Sequence, residues 1–61
     1  MRAVLNQDTK FNWNDGRQDI IKAGTSVKVG AFRAGDSRVQ VYKFGKASAS
    51  VSIDDLTIVE N

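Results

Sequence analysis

Along this chain apolar residues recur mostly at spacing two, the period of β-strands, and no segment holds the three-to-four spacing of an amphipathic helix. Ala3-Val4-Leu5 reads as a short first strand. From Thr9 to Trp13 polar and aromatic residues alternate, Asn14-Asp15-Gly16 supplies a strong turn, and Gln18 to Lys22 returns. That hairpin is expected to place Phe11, Trp13 and Ile20 on one face. Ala23-Gly24-Thr25 breaks the chain, Ser26 to Arg33 reads as a strand, Gly35-Asp36 turns it, and Arg38 to Phe44 pairs back. Gly45-Lys46 then turns into Ser48 to Ile53, and Thr57-Ile58-Val59 forms the last strand. Between these two, Asp54-Asp55 after Ser52 suits a single helical turn, a side-chain oxygen capping free backbone amides before Leu56 drops into the core.

The fold class expected is all-β, a small antiparallel SH3-like barrel of five to six strands with a 3₁₀ turn before the last strand. Ile21-Lys22-Ala23-Gly24-Thr25-Ser26-Val27-Lys28-Val29 and Ser52-Ile53-Asp54-Asp55-Leu56-Thr57-Ile58-Val59 resemble the first and last strands of many SH3-like modules. The likeness runs from about Thr9 onward and implies a fold but no particular function. A barrel of the oligonucleotide-binding or cold-shock type is the competing architecture, disfavoured because its base-stacking aromatic motifs are missing.

Strand register decides which residues face inward, since a one-residue slip reverses every side chain. With two-residue loops at Gly35-Asp36 and Gly45-Lys46, Val27, Val29, Tyr42, Phe44, Ala49 and Val51 share one face. Phe32, Val39 and Val41 then lie opposite. With three-residue loops the core face is Val27, Val29, Val39, Val41, Val51 and Ile53, and Phe32, Tyr42 and Phe44 lie outside beside Lys28 and Gln40. Either register is expected to leave an apolar row on the second face.

Composition narrows what such a fold can be. The chain has 61 residues, so one domain spanning 1–61 with one thin core is its ceiling. It has neither Cys nor His, which removes disulfide staples, zinc sites and imidazole or thiolate catalysis. An apolar fraction of 41% with 26% charged residues is too apolar for disorder. The net charge of +2 is a small excess, densest from Arg33 to Lys46, where Arg33, Arg38, Lys43 and Lys46 face only Asp36. The polar start Met1-Arg2 has no apolar run behind it, so a cytoplasmic location is expected, without membrane association.

Catalytic and metal readings fail on geometry. Asp54 and Asp55 are consecutive and so diverge rather than converge on a ligand. Asn14-Asp15-Gly16 lacks the remaining ligands of a calcium loop. Val39-Gln40-Val41-Tyr42 is similar to the Val-Gln-Ile-Tyr strand of the plasmid-encoded type II dihydrofolate reductases, which are SH3-like tetramers. That resemblance implies a pore holding folate and a nicotinamide cofactor, lined by Gln40 and Tyr42. The family's motif lies near its C-terminus, whereas nineteen residues follow Tyr42 here. No enzyme, cofactor or metal is therefore expected.

Two functional expectations remain. The first is a non-enzymatic interaction module that self-associates or docks on a protein through the apolar and aromatic sheet face, with Phe32, Tyr42, Phe44 and Gln40 as contacts; its size suits an accessory protein of a phage or other mobile element. The alternative is a nucleic-acid-binding barrel in which those aromatics stack on bases, flanked by Lys28, Arg33, Arg38, Lys43 and Lys46. Mixed charge and an apolar row favour the first.

Overall fold

The computed structural model describes residues 1–60, the last of them by its backbone only. Seven strands follow one another: β1 (Arg2–Leu5), β2 (Thr9–Trp13), β3 (Gln18–Ile21), β4 (Ser26–Val29), β5 (Arg38–Lys43), β6 (Ala47–Ser52) and β7 (Leu56–Glu60). A 3₁₀ turn over Ile53–Asp55 precedes β7, and the Ser52 hydroxyl accepts from the Asp54 amide at its start, as the sequence predicts. The strands form one antiparallel sheet in the order β3-β2-β6-β5-β4-β1-β7. No ladder joins β3 to β7, so the sheet is open, and the strand count exceeds the expected five to six.

Three hairpins settle the register. Trp13 faces Arg17 across Asn14-Asp15-Gly16, with the Trp13 amide donating to the Arg17 carbonyl at 2.8 Å. Lys43 pairs with Ala47 across Phe44-Gly45-Lys46. Val29 pairs with Val41, and the Gly30 amide donates to the Gln40 carbonyl, so this pairing is centred on Gly35. Each reversal thus turns about one central residue, and odd-numbered positions stay with odd-numbered partners. Ala3, Leu5, Phe11, Val27, Val29, Val39, Val41, Ala47, Ala49 and Val51 are all buried. The 3₁₀ turn then shifts the phase and delivers Leu56 to the same core. This is the three-residue-loop register, with Ala47 and Ala49 added to the expected set and Ile53 only half-buried.

The same parity corrects the first hairpin. Phe11 pairs with Asp19 and Lys10 with Ile20, so Ile20 lies on the face opposite Phe11 and Trp13 and is exposed. A two-residue turn would have brought it inside; the three-residue turn does not.

Phe11 on β2 shares one cluster with Leu5 and Leu56 from the other end of the strand order, so the sheet curls until its inner face covers itself. The connection between β3 and β4 helps hold the curl: the Gly24 amide donates to Leu5 O at 2.8 Å, and the Leu5 amide to Thr25 O at 3.0 Å. The Asp8 carboxylate accepts from the Ala23 amide at 2.9 Å, tying the start of the β2–β3 hairpin to its end. The core contains no buried polar or charged side chain among the described residues. That suits a small chain, which cannot spare hydrophobic burial to offset a desolvated polar group.

The fourth strand is shorter than expected. Pairing of β4 stops at Val29, and residues 30–37 form a loop in which the Asp36 carboxylate accepts from the Arg33 amide at 2.8 Å. This loop turns Phe32 back onto the core, where it is half-buried.

Candidate functional site

Cross-strand partners place one continuous row on the outer face: Arg2 pairs with Lys28, Lys28 with Tyr42, Tyr42 with Ser48, Ser48 with Asn12 and Asn12 with Gln18. The row crosses six strands and ends in a hydrogen bond from Gln18 Nε2 to Asn12 Oδ1 of 2.9 Å. Beside it lie Gln40 opposite Ser50, Arg38 opposite Ser52, and Lys10 opposite Ile20. No outward position on β1, β2, β4, β5 or β6 is acidic, while Arg2, Lys10, Lys28 and Arg38 are basic. Across β7 the row meets Glu60 opposite Arg2.

The acids lie elsewhere because turns use them. Asp8 and Asp15 each accept a backbone amide, from Ala23 and Arg17 respectively, and these hydrogen bonds, ahead of the nearby Lys22 and Arg17 charges, lower both carboxyls below their ordinary value of 3.8. Asp36 closes the 30–37 loop. Asp19 faces the inner side of β3 and accepts from Trp13 Nε1 at 2.7 Å. Asp54 and Asp55 occupy the 3₁₀ turn. Positive charge therefore collects on the outer face of the central strands and most of the negative charge at turns and loops, although the net charge is small.

Individual side chains on the face are positioned by identifiable contacts. Tyr42 leans against Gly30: a Cβ built there would lie 3.3 Å from Tyr42 Cε2 and 3.6 Å from its hydroxyl, so the missing side chain makes room for the ring. Arg38 reaches along β6 and donates to Ser50 O at 2.7 Å. The small alternating Ser48, Ser50 and Ser52 leave a low strip between the longer side chains of β5 and β2. Lys43 points to the inner side, as its pairing with Ala47 requires, and its Nζ donates to Ser26 O at 2.8 Å.

At the end of the β5–β6 hairpin sits Phe44, with φ of 59° and 63% of its surface exposed. A bulky residue in the left-handed region is rare and strained, and such positions cluster at functional sites. Its ring stacks on Trp13 with centroids 5.7 Å apart and planes 3° from parallel. The Arg17 guanidinium lies 5.0 Å from the Trp13 centroid, and Lys43 Nζ lies 5.6 Å from that of Phe44. Two hollows flank this stack. One, of about 340 Å³, is lined by Arg2, Ser26, Lys28, Tyr42, Lys43 and Phe44 among others. The second, of about 260 Å³, lies against Trp13, Arg17 and Lys46.

Of the residues singled out from the sequence, the fold brings Lys28, Tyr42, Gln40 and Arg38 onto one face. Lys43 and Phe44 stand at its rim, and Lys46 stands beside the Trp13 hollow. Phe32 and Arg33 belong to the 30–37 loop and do not join them. The expected row of Phe32, Tyr42 and Phe44 thus does not form: β4 ends before Phe32, Phe44 leaves the strand into its turn, and Tyr42 is left among polar neighbours. Arg2, Lys10, Asn12 and Ser48 are additional members. Their signal was the parity of their positions, legible only once the three loops are known to be odd in length.

No group of three or more metal-ligating side chains forms among the described residues, and none of their helices is long and apolar enough to cross a membrane. Comparison of the chain with protein-family models, with curated proteins and with solved structures finds no match.

Proposed function

We propose that this chain is a non-enzymatic binding module, an SH3-like curled sheet whose outer face docks on single-stranded nucleic acid. The order β6-β5-β4-β1-β7, with a tight β5–β6 reversal and a 3₁₀ turn before the last strand, supports the SH3-like reading; the β2–β3 hairpin extends the sheet beyond β6. The observation that carries the function is the outer row from Arg2 through Lys28, Tyr42, Ser48 and Asn12 to Gln18, which has no acidic position on its five central strands. Lys and Arg there neutralise phosphates, and Tyr42 offers a ring on which a base stacks. Ser, Asn and Gln supply hydrogen bonds to base edges and sugars without opposing charge. A single strand suits the face better than a duplex, because an exposed ring needs an unstacked base as its partner.

The test is fluorescence anisotropy of a labelled oligothymidylate of about 12 nucleotides, a length within the range small β-domains cover. Binding should weaken steeply as salt rises, because each phosphate neutralised contributes about −0.7 to the slope of log K against log salt for single strands. Absence of binding at low salt defeats the reading.

A second reading is self-association along β7. Among the described residues that strand pairs only with β1, and Ile58 and Val59 on it are exposed at 40% and 55%. Open edge strands carrying apolar residues are templates for pairing with another chain. Light scattering at several concentrations, at low and high salt, separates the two: a salt-insensitive dimer favours the edge, and a monomer that binds the oligonucleotide favours the face.

A further inference from the structure

We propose that the hollow where β4 and β5 part is a mononucleotide subsite, in which Lys28 and Lys43 take the phosphate and the rings of Tyr42 and Phe44 take the base. The proposal deepens the nucleic-acid reading above and rests on it for the ligand's chemical class.

The hollow exists because the ladder between β4 and β5 is short. It comprises Lys28 with Tyr42 and Val29 with Val41, whereas Ser26 and Val27 pair only with β1. Beyond Tyr42, β5 turns towards the Phe44 hairpin and a gap opens opposite Ser26. Lys43 Nζ bridges that gap to Ser26 O, which satisfies a carbonyl the ladder has left free. An ammonium group has three protons, so two remain for an incoming anion. Lys28 stands on the other wall, next to Tyr42, and forms no ion pair among the described residues. None of the described side chains lining the hollow is a carboxylate. Among the described side chains, phosphate therefore meets positive charge from two strands with no carboxylate lining the hollow.

The aromatic part is equally placed by the backbone. Gly30 makes room for the Tyr42 ring just past the end of β4, and the left-handed turn leaves Phe44 exposed, where it stacks on Trp13. A volume of about 340 Å³ falls at the low end of small-molecule sites, the size of one nucleotide. An acidic peptide would satisfy the ammonium groups but would bring no planar group to the exposed rings. A nucleotide brings both.

The experiment combines two measurements on the full chain. Amide chemical shifts are followed by NMR during titration with 5′-thymidine monophosphate, with inorganic phosphate and thymidine titrated separately. Oligothymidylate affinity is then measured for the wild type, Lys28→Gln, Lys43→Gln and Arg38→Gln, each checked for an unchanged thermal midpoint. The proposal expects the monophosphate to shift the amides of Ser26, Lys28 and residues 43–45 at lower concentration than either half alone. Lys28→Gln should weaken the oligonucleotide about tenfold and lower the salt slope by one phosphate, as expected for loss of a charge-assisted contact. Should Lys43→Gln unfold the chain, Lys28→Gln, on an exposed strand position, decides alone. If the oligonucleotide binds but only Arg38→Gln weakens it and the monophosphate leaves those amides unmoved, the subsite is wrong while the face reading stands. If inorganic phosphate shifts them as readily as the monophosphate, the site holds a bare anion and the base contact is refuted. Monophosphate binding without oligonucleotide binding upholds the subsite and refutes the wider face.

Discussion

Phe44 offers the sharpest test of how sequence, strain and surface are linked in this protein. Holding a non-glycine residue in the left-handed region costs about 1–2 kcal/mol, and its parallel stack on Trp13 returns about 0.5–1.5 kcal/mol. The two terms nearly cancel, which explains how a strained aromatic can sit at the tip of a hairpin without unfolding it. Phe44→Ala keeps the backbone penalty and loses the ring. Phe44→Gly loses the same ring but relieves the penalty, less about 0.5–1 kcal/mol for the freer unfolded chain. The glycine variant should therefore be more stable than the alanine variant by roughly 0.5–1 kcal/mol, which for a chain of this size is about 2–8 °C in thermal midpoint. Thermal melts followed by circular dichroism read the difference, and a double-mutant cycle with Trp13→Ala isolates the stacking term. If Phe44→Ala melts at or above Phe44→Gly, the turn does not hold φ near 59° and the argument for a strained, outward ring collapses. Both variants should bind oligothymidylate more weakly than the wild type, because neither presents a ring.

Other outcomes follow from the same geometry. Phe11 is fully buried, and Phe11→Ala should cost about 3–5 kcal/mol against a total of about 3–9 kcal/mol expected for 61 residues; collapse of NMR dispersion is anticipated, and a melt near the wild-type midpoint would contradict the core described above. Gly30→Ala sets a methyl 3.3 Å from both the Gln40 carbonyl oxygen and the Tyr42 ring, so Tyr42 ring-proton shifts should move and stability should fall by about 1–3 kcal/mol as the crowded contacts give; unmoved shifts would mean that the ring does not lie against Gly30. Asp8 has its folded-state pKa below the ordinary 3.8, so the stability it contributes is present above that value and disappears as pH falls through the lower folded value. Asp8→Ala should accordingly melt below the wild type at neutral pH and converge with it in strong acid; a gap that persists when the carboxyl is protonated argues against the hydrogen bond to Ala23.

Much of the fold was legible because short chains without Cys or His have few ways to be stable. Alternation marks half-buried strands over Thr9 to Trp13 and over Ser48 to Ile53, the latter found one residue earlier as Ala47–Ser52, and Asn14-Asp15-Gly16 marks a reversal. Ser52 before Asp54 marks the cap of the 3₁₀ turn. The site was less legible. Tyr42 and Gln40 were read as one contact patch and Lys28 and Arg38 among the cations flanking it, but Phe32 was grouped with the patch because a continuous strand to Arg33 looked as good in sequence as a strand ending at Val29. Trp13 and Phe44 are distant along the chain, and no local pattern announces that they stack.

The sequence by itself determined an all-β chain, the positions of its turns and the identity of the residues able to form a core, because alternation and turn chemistry act over a few neighbouring residues. Tertiary structure decided loop parity and sheet curl. Turning about Asp15, Gly35 and Gly45 kept odd positions inside, and the curl brought Phe11 to Leu56. Those two choices, which depend on pairing across the whole sheet, sent Ile20 outward, Phe32 inward and Asp19 to the inner side, leaving the five central strands with a basic outer face that no stretch of the sequence displays.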